Sequence, residues 1–282
     1  MGTAPQIAPE IYDFYTDTFD EATRLTATAD GALELVRTQE ILRRLLPPAP
    51  ATVLDVGGGP GIHAQWLSAD GYKVHVVDPV ARHVEQAAAL GVGAEIGDAR
   101  QLTADTGSYD VVLLLGPLYH LLERADRDRA LAEARRVVRP GGLVAAAAIG
   151  RYASLYEHVA TTFLGTERVR DAVADILRTG RHEPGRKGFT AAYFHTAEGL
   201  EEEMVAAGLE GVAVHGIEGP AWSCLKAAEQ HSGERLIGSP MFVAALESAR
   251  LAEPYPALLS SSSHMLATAT AGSLTGCRRE VG

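Results

Sequence analysis

From about residue 51 the chain alternates short apolar runs with longer amphipathic segments. The runs are 51-ATVLDV-56, 73-KVHVVD-78, 93-GAEIGD-98, 109-YDVVLLL-115 and 142-GLVAAAAI-149. They have strand length and are nearly continuous in apolar residues, as parallel strands covered on both faces must be. Between them, 80-VARHVEQAAAL-90 ends at Gly91, and 126-DRDRALAEARRVV-138 starts on an acid and stops before 140-PGG-142. Both read as helices. Alternating strands and helices make βαβ units, so the pattern predicts an α/β fold with a doubly wound, mostly parallel sheet.

Two regions lie outside this repeat. Residues 6–46 read as two helices, the second being 32-ALELVRTQEILRRLL-46, closed by 47-PPAP-50. Residues 151–190 mix aromatic, helical and polar sequence after the fifth strand. A helix is expected over 196-TAEGLEEEMVAAG-208 and another around 239-SPMFVAALESARLA-252, with strand character in 211-GVAVHGIEG-219 and 262-SSHMLATAT-270. The expected organisation is an N-terminal helical lid over 1–50, a ligand-binding core over 51–150, and a remainder over 151–282. That remainder holds the last strands and helical cap insertions at 151–190 and 220–258.

Composition narrows the function classes. The 282 residues are 46% hydrophobic and carry a formal charge of -11, which argues against a broad grip on nucleic acid. The two cysteines, Cys224 and Cys277, have no metal-binding spacing and fit a reducing compartment. The start, MGTAPQIAPEIYDFY, lacks the features of a signal peptide, and no apolar run has the length of a bilayer span. The expectation is a cytoplasmic protein with neither nucleic-acid nor membrane partners and no metal. Monomer and homodimer both stay open.

The chemistry concentrates in 53-VLDVGGGPGIHAQWL-67, a strand, a glycine turn and a helix. This arrangement presents backbone N–H groups to a ligand. The dinucleotide fingerprint GxGxxG needs glycine at position 62, where Ile62 stands, and no lysine follows to make a phosphate-cradling loop. What remains is an acid, Asp55, two residues ahead of Gly57, Gly59 and Gly61. Such a turn suits an ammonium group better than a phosphate. Asp78 ends the second apolar run about 20 residues later, the place for an acid on ribose hydroxyls.

In these features the chain resembles the class I S-adenosylmethionine-dependent methyltransferases, closely over 51–150 and more loosely beyond. The resemblance also draws on Asp98 in 97-GDAR-100, on 110-DVVLLLGPLYHL-121 and on 137-VVRPGGLV-144. It implies a seven-stranded Rossmann-like sheet with S-adenosylmethionine as cofactor and S-adenosylhomocysteine as product. Asp55, Gly57, Gly59, Gly61 and Gly116 would approach the cofactor, with Asp55 alternatively only orienting the loop, Asp78 would approach its ribose, and Asp98 with Ala99 its adenine. In relatives N-terminal segments fold over the cofactor, so Tyr15 and Arg24 would close on its carboxylate. Helix-capping roles for Asp78 and Asp98, and a buried helix face for the N-terminal aromatics, are the alternatives.

The acceptor would approach over 115-LGPLYHLL-122. His120 is the first candidate for a general base and Tyr119 the second; alternatively His120 packs beneath the next helix and orients the loop. Glycine at 116, where amino-methylating relatives carry Asn or Asp, favours oxygen or carbon over nitrogen. Arg151, Tyr152, His195 and Trp222 are candidates for the acceptor wall, each with a packing or capping role as its alternative. The basic stretch 178-RTGRHEPGRKG-188 is a further candidate for anion attraction, or simply a solvated loop. The function expected is methyl transfer to a small molecule. A cofactor-binding protein without turnover is the alternative, and Ile62 disfavours a nicotinamide oxidoreductase.

Overall fold

The computed structural model describes residues 8–18, 21–183 and 189–272. Nine strands occur among them: β1 Thr52–Val56, β2 Lys73–Asp78, β3 Gly93–Ile96, β4 Tyr109–Leu114, β5 Val138–Ile149, β6 Arg181–His182, β7 Ala192–Tyr193, β8 Leu209–Gly216 and β9 His264–Ala271. Seven form one sheet in the order β3-β2-β1-β4-β5-β9-β8, while β6 and β7 make a separate small hairpin. β9 runs antiparallel to both of its neighbours, and the remaining pairs are parallel. The chain builds β1 to β3 outward, then crosses to β4 on the other side of β1. That reversal opens a crevice at the carboxyl ends of β1 and β4, where open α/β sheets bind ligands.

Both faces of the sheet are covered, and the pleat divides its residues between two cores. Leu54, Val112, Leu114, Val144 and Ala146 join the core beneath helices Arg124–Val137 and Ala197–Ala206. Val53, Val111, Leu113, Ala145 and Ala147 face the core beneath helices Ala29–Leu45, Ile62–Ala69 and Ala81–Ala89. The near-continuous apolar runs follow from this double burial.

Three boundaries differ from the sequence expectation. The fifth strand starts at Val138 rather than 142, because Pro140–Gly142 is absorbed as an irregularity in the β4–β5 register, with Gly141 at φ +73°. The third strand ends at Ile96, and Asp98 belongs to a turn paired with Gln101. The described residues of 6–46 form more helical segments than the two expected. A short helix Pro9–Asp13, a π-helical turn Phe14–Thr18 and a helix Glu21–Ala27 precede the long helix Ala29–Leu45. The last break is local: Thr28 is extended and its side chain accepts the Gly31 N–H at 3.2 Å, capping the long helix. Gly31 then lets Arg24 O approach, where a Cβ would sit at 2.6 Å.

Helices occupy much of the two regions 151–190 and 220–258. The first holds Ala153–Ala160 and Glu167–Thr179, the second Trp222–Ser232, Pro240–Ala252 and Pro256–Leu259. The second packs beside the long N-terminal helix, burying Trp222, Leu225, Phe242 and Ala245 against Ala29 and Leu33. Among the described residues no helix is long and apolar enough to cross a membrane.

Candidate active site

The crevice holds a cavity of about 340 Å³, within the usual range for small-ligand pockets. Its floor is the glycine turn after β1, its sides are the ends of β2 and β4, and its roof is the N-terminal segment with Ile11, Tyr15, Glu21, Arg24 and Leu25. Six acids line it (Glu21, Asp55, Asp78, Asp98, Glu123 and Asp126) against two arginines, Arg24 and Arg100. Such a cavity attracts a cation.

The turn needs its glycines for different reasons. Gly57 has φ +68°, and a Cβ there would lie 2.7 Å from Pro117 Cγ. Gly59, at φ +55°, lies under the Glu21 side chain. Gly61 is not on the cavity. It stands at the start of helix Ile62–Ala69 at φ +91°, packed against Ala87 and Leu90, so its expected ligand contact is replaced by a helix–helix contact. Gly116 does line the cavity, with Gly57 O close by.

Asp55 lies directly beneath the turn and is fully buried, yet neither carboxyl oxygen has a hydrogen-bond partner. Burial, with the charge of Asp78 beside it, pushes its pKa up to about 7. Asp78 is well held: Oδ2 accepts from Gly59 N–H at 2.9 Å and Oδ1 from Val80 N–H at 2.9 Å. Asp98 is gripped by Arg100, whose Nε and Nη2 donate to its two oxygens at 3.0 and 2.7 Å. Arg100 reaches Asp126 as well, and Ala99 completes that wall. Arg24 forks onto Glu34 at 2.7 and 3.0 Å and donates Nε–H to Glu21 at 2.9 Å. Three of its five donors are thereby used. Burial raises the Glu34 pKa, but Arg24 and His264 outweigh it and hold the group at about 2.

At the end of β4 the short helix Pro117–His120 presents Tyr119 and His120. Burial pushes the His120 pKa down to about 4, so its imidazole is neutral at pH 7. Its Nδ1 faces Ala191 O at 3.5 Å, and Nε2 accepts from the Tyr15 hydroxyl at 2.7 Å. Burial raises the pKa of Tyr15 and of Tyr119. Around this pair stand Phe14 and Phe189, with ring centres 5.9 Å apart and Phe189 5.8 Å from His120.

Four expected acceptor contacts do not reach the cavity. Trp222 is buried in the packing of the second insertion, its indole N–H donating to Ser261 O at 2.9 Å. His195 is buried beside Glu203, whose carboxylate holds Arg127. Arg151 donates to Phe194 O at 2.7 Å, supporting the hairpin. Tyr152 precedes helix Ala153–Ala160 with its ring half in solvent. Arg151 and Tyr152 follow β5, His195 follows β7 and Trp222 follows β8, and in each case the chain turns away from the crevice, a direction that local sequence does not carry. Arg186 and Lys187 of the basic stretch, like Cys277, lie outside the described residues.

Charged and imidazole residues of the cavity missed from the sequence are Glu21, His63, His83, Arg100, Glu123 and Asp126. His83 follows Asp78 by five residues on the next helix, and that spacing is a signal present in the sequence. Among the described residues Glu34, Glu218 and His264 lie close enough to hold a cation. Their charges are already matched, since Arg24 occupies Glu34 and His264 Nδ1 is 2.5 Å from Glu218.

The sheet order, the antiparallel β9 inserted between β5 and β8, and an acid-lined crevice over a glycine turn define the class I S-adenosylmethionine-dependent methyltransferase fold. Residues 53–142 match the family model described as a methyltransferase domain. The chain is 35% identical over 113 residues to the ubiquinone/menaquinone biosynthesis C-methyltransferase of Acidiphilium cryptum, covering 37% of this chain and 44% of the relative. It is 31% identical over 105 residues to a ubiquinone biosynthesis O-methyltransferase of Methylocella silvestris, covering 35% and 40%. The chain thus spans less than half the length of these relatives. The structure of a Haemonchus contortus phosphoethanolamine N-methyltransferase, solved with S-adenosyl-L-methionine, superposes with TM-score 0.59 at 17% identity. It covers 94% of this chain and 61% of that one, and the likeness is one of fold.

Proposed function

We propose that this protein transfers a methyl group from S-adenosylmethionine to a small, ring-bearing acceptor of low charge, at oxygen or carbon. One observation carries the reading: a buried, unpartnered Asp55 carboxyl beneath a glycine turn, in an acid-rich cavity of ligand size. An ammonium group is the partner that such a carboxyl lacks. The residues present therefore fit the cofactor, with Asp55 toward its ammonium, Asp78 toward its ribose, and the wall of Asp98 and Ala99 toward its adenine.

When bound, S-adenosylmethionine supplies a methyl group on a positively charged sulfur. The chain has to place the acceptor in line, exclude water and take a proton where the acceptor carries one. Leu115, Leu121 and Leu122 with the rings of Tyr15, Tyr119 and His120 make the acceptor end apolar and aromatic. The acid excess disfavours anionic acceptors, and the quinone-biosynthesis names of two relatives support a small ring. A proton leaving the acceptor passes to Tyr15 Oη as Tyr15 hands its own to His120 Nε2.

The test is calorimetric titration with S-adenosylhomocysteine, followed by assays on small phenolic acceptors. Wild type is expected to bind in the micromolar range, Asp78→Ala to bind at least tenfold more weakly, and His120→Ala to lose roughly 10²-fold in kcat with binding retained. Because the His120 pKa lies near 4, kcat should be flat from pH 6 to 8 and fall only in acid. A wild type that ignores S-adenosylhomocysteine would remove the reading, and undiminished turnover in His120→Ala would remove the proton relay.

A further inference from the structure

Asp78 has more donors around it than a ribose-holding carboxylate can serve alone. Its Oδ2 accepts from Gly59 N–H, and its Oδ1 from Val80 N–H and from His83 Nδ1 at 3.1 Å. A carboxylate offers about four lone-pair sites, so about one is left. A vicinal diol brings two O–H donors. One of them has no acceptor on Asp78.

His83 supplies an acceptor beside it. The residue stands in the first turn of helix Ala81–Ala89, and its side chain is only 4% exposed. It lines the cavity between Val80 and Tyr15, with the Tyr15 ring edge-on at 5.9 Å. Both Asp78 oxygens already accept backbone N–H groups, so Nδ1 is the donor in the His83–Asp78 contact. That tautomer leaves a lone pair on Nε2, which is buried and has no partner. A buried polar atom without a partner in a cavity wall marks the place of a ligand group. Asp78 also fixes the ring, so Nε2 is held in one orientation before any ligand arrives.

We infer that His83 Nε2 accepts one ribose hydroxyl of the cofactor while the remaining lone pair of Asp78 accepts the other. The inference rests on the cofactor reading above and assigns ribose recognition to a pair of residues. His83 is then a specificity residue for the intact diol, and Asp78 is both a ligand and the group that orients His83.

The experiment titrates S-adenosylhomocysteine and its 2′-deoxy and 3′-deoxy ribose analogues into wild type, His83→Asn and His83→Gln. Melting curves without ligand establish that each variant folds. Asparagine keeps an N–H toward Asp78 but places no acceptor where Nε2 was, and glutamine carries its amide out to that place. Wild type should lose about tenfold in affinity for the analogue missing the hydroxyl opposite His83, the worth of one hydrogen bond of this kind. His83→Asn should bind S-adenosylhomocysteine about tenfold more weakly and lose nothing further with that analogue, while still losing affinity with the other. His83→Gln should recover part of the loss. Two results overturn the inference while leaving the cofactor reading intact. One is full affinity in His83→Asn; the other is an undiminished penalty for both analogues in that variant. A wild type that binds none of the three ligands overturns both.

Discussion

Asp55 sits in an unusual electrostatic condition, fully buried with neither carboxyl oxygen hydrogen-bonded. Its folded pKa of about 7 lies well above the ordinary carboxyl value because burial and Asp78 disfavour a second charge. A group raised in this way contributes its full stability below the unfolded pKa near ~4 and loses it as pH rises toward 7. Above pH 7 the ligand-free protein carries a buried carboxylate at a cost of at most about 4 kcal/mol by the same linkage. Asp55→Asn should therefore melt roughly 5 to 10 °C above wild type at pH 8, with the gap closing toward pH 4. It should also lose affinity for S-adenosylhomocysteine, since the ammonium partner is gone. A variant less stable than wild type at pH 8 would mean that Asp55 has a donor in the ligand-free protein. The sequence carried Asp55, Asp78, Asp98, Tyr119 and His120 into one site because each ends a strand or follows one, and parallel strands gather their carboxyl ends. Glu21 had no such local mark and reaches the cavity through packing between elements far apart in the chain, whereas His63 follows the glycine turn directly, in the first turn of helix Ile62–Ala69.

The glycine turn and the helix Pro117–His120 act as one unit. Gly57 adopts a left-handed backbone, and the Pro117 ring fills the space that a Cβ would take. Gly57→Ala combines backbone strain with a contact at 2.7 Å against a ring that cannot rotate away. The expected cost is about 2 to 3 kcal/mol, and the displaced turn should weaken S-adenosylhomocysteine binding more than tenfold. Thermal melting and titration of the same sample check both effects, and wild-type affinity in this variant would separate the turn from the ligand. Elements were legible where the pattern is set by burial on two sides, as in β1, β2 and β4. They were not legible where a cap or a bulge decides: Thr28 divides the N-terminal helices, and Pro140–Gly142, which reads as a helix stop, lies inside β5 and lets it start at Val138. The acceptor wall expected from Arg151, Tyr152, His195 and Trp222 failed for a related reason. Position after a strand fixes which end of the sheet a residue leaves, but not whether the following helix turns over the crevice or beside it.

At the scale of the whole molecule, the sheet and the roof of the cavity are separable in their energetics. The two cores that cover the sheet draw on strands and helices from residue 41 onward. The roof is made by Ala8, Ile11, Tyr15, Glu21, Arg24 and Leu25, with Ile11 and Leu25 buried and Arg24 tied to Glu34. It touches the site at three levels: Glu21 over Gly59, Tyr15 on His120, and Arg24 at the rim. Removing residues 1–27 therefore takes away the water-excluding side of the cavity and the partner of His120, but none of the strands. The shortened chain should keep its far-ultraviolet circular dichroism and a cooperative melt. It should bind S-adenosylhomocysteine at least tenfold more weakly, and its methyl transfer should fall by more than 10²-fold, because positioning and exclusion of water act on the transition state more than on binding. In the intact protein the same ligand should slow proteolysis within residues 8–25, since a ligand held under the roof opposes its opening. Equal cleavage with and without ligand, together with full affinity in the shortened chain, would show that the N-terminal segment covers the cavity without closing on what it holds.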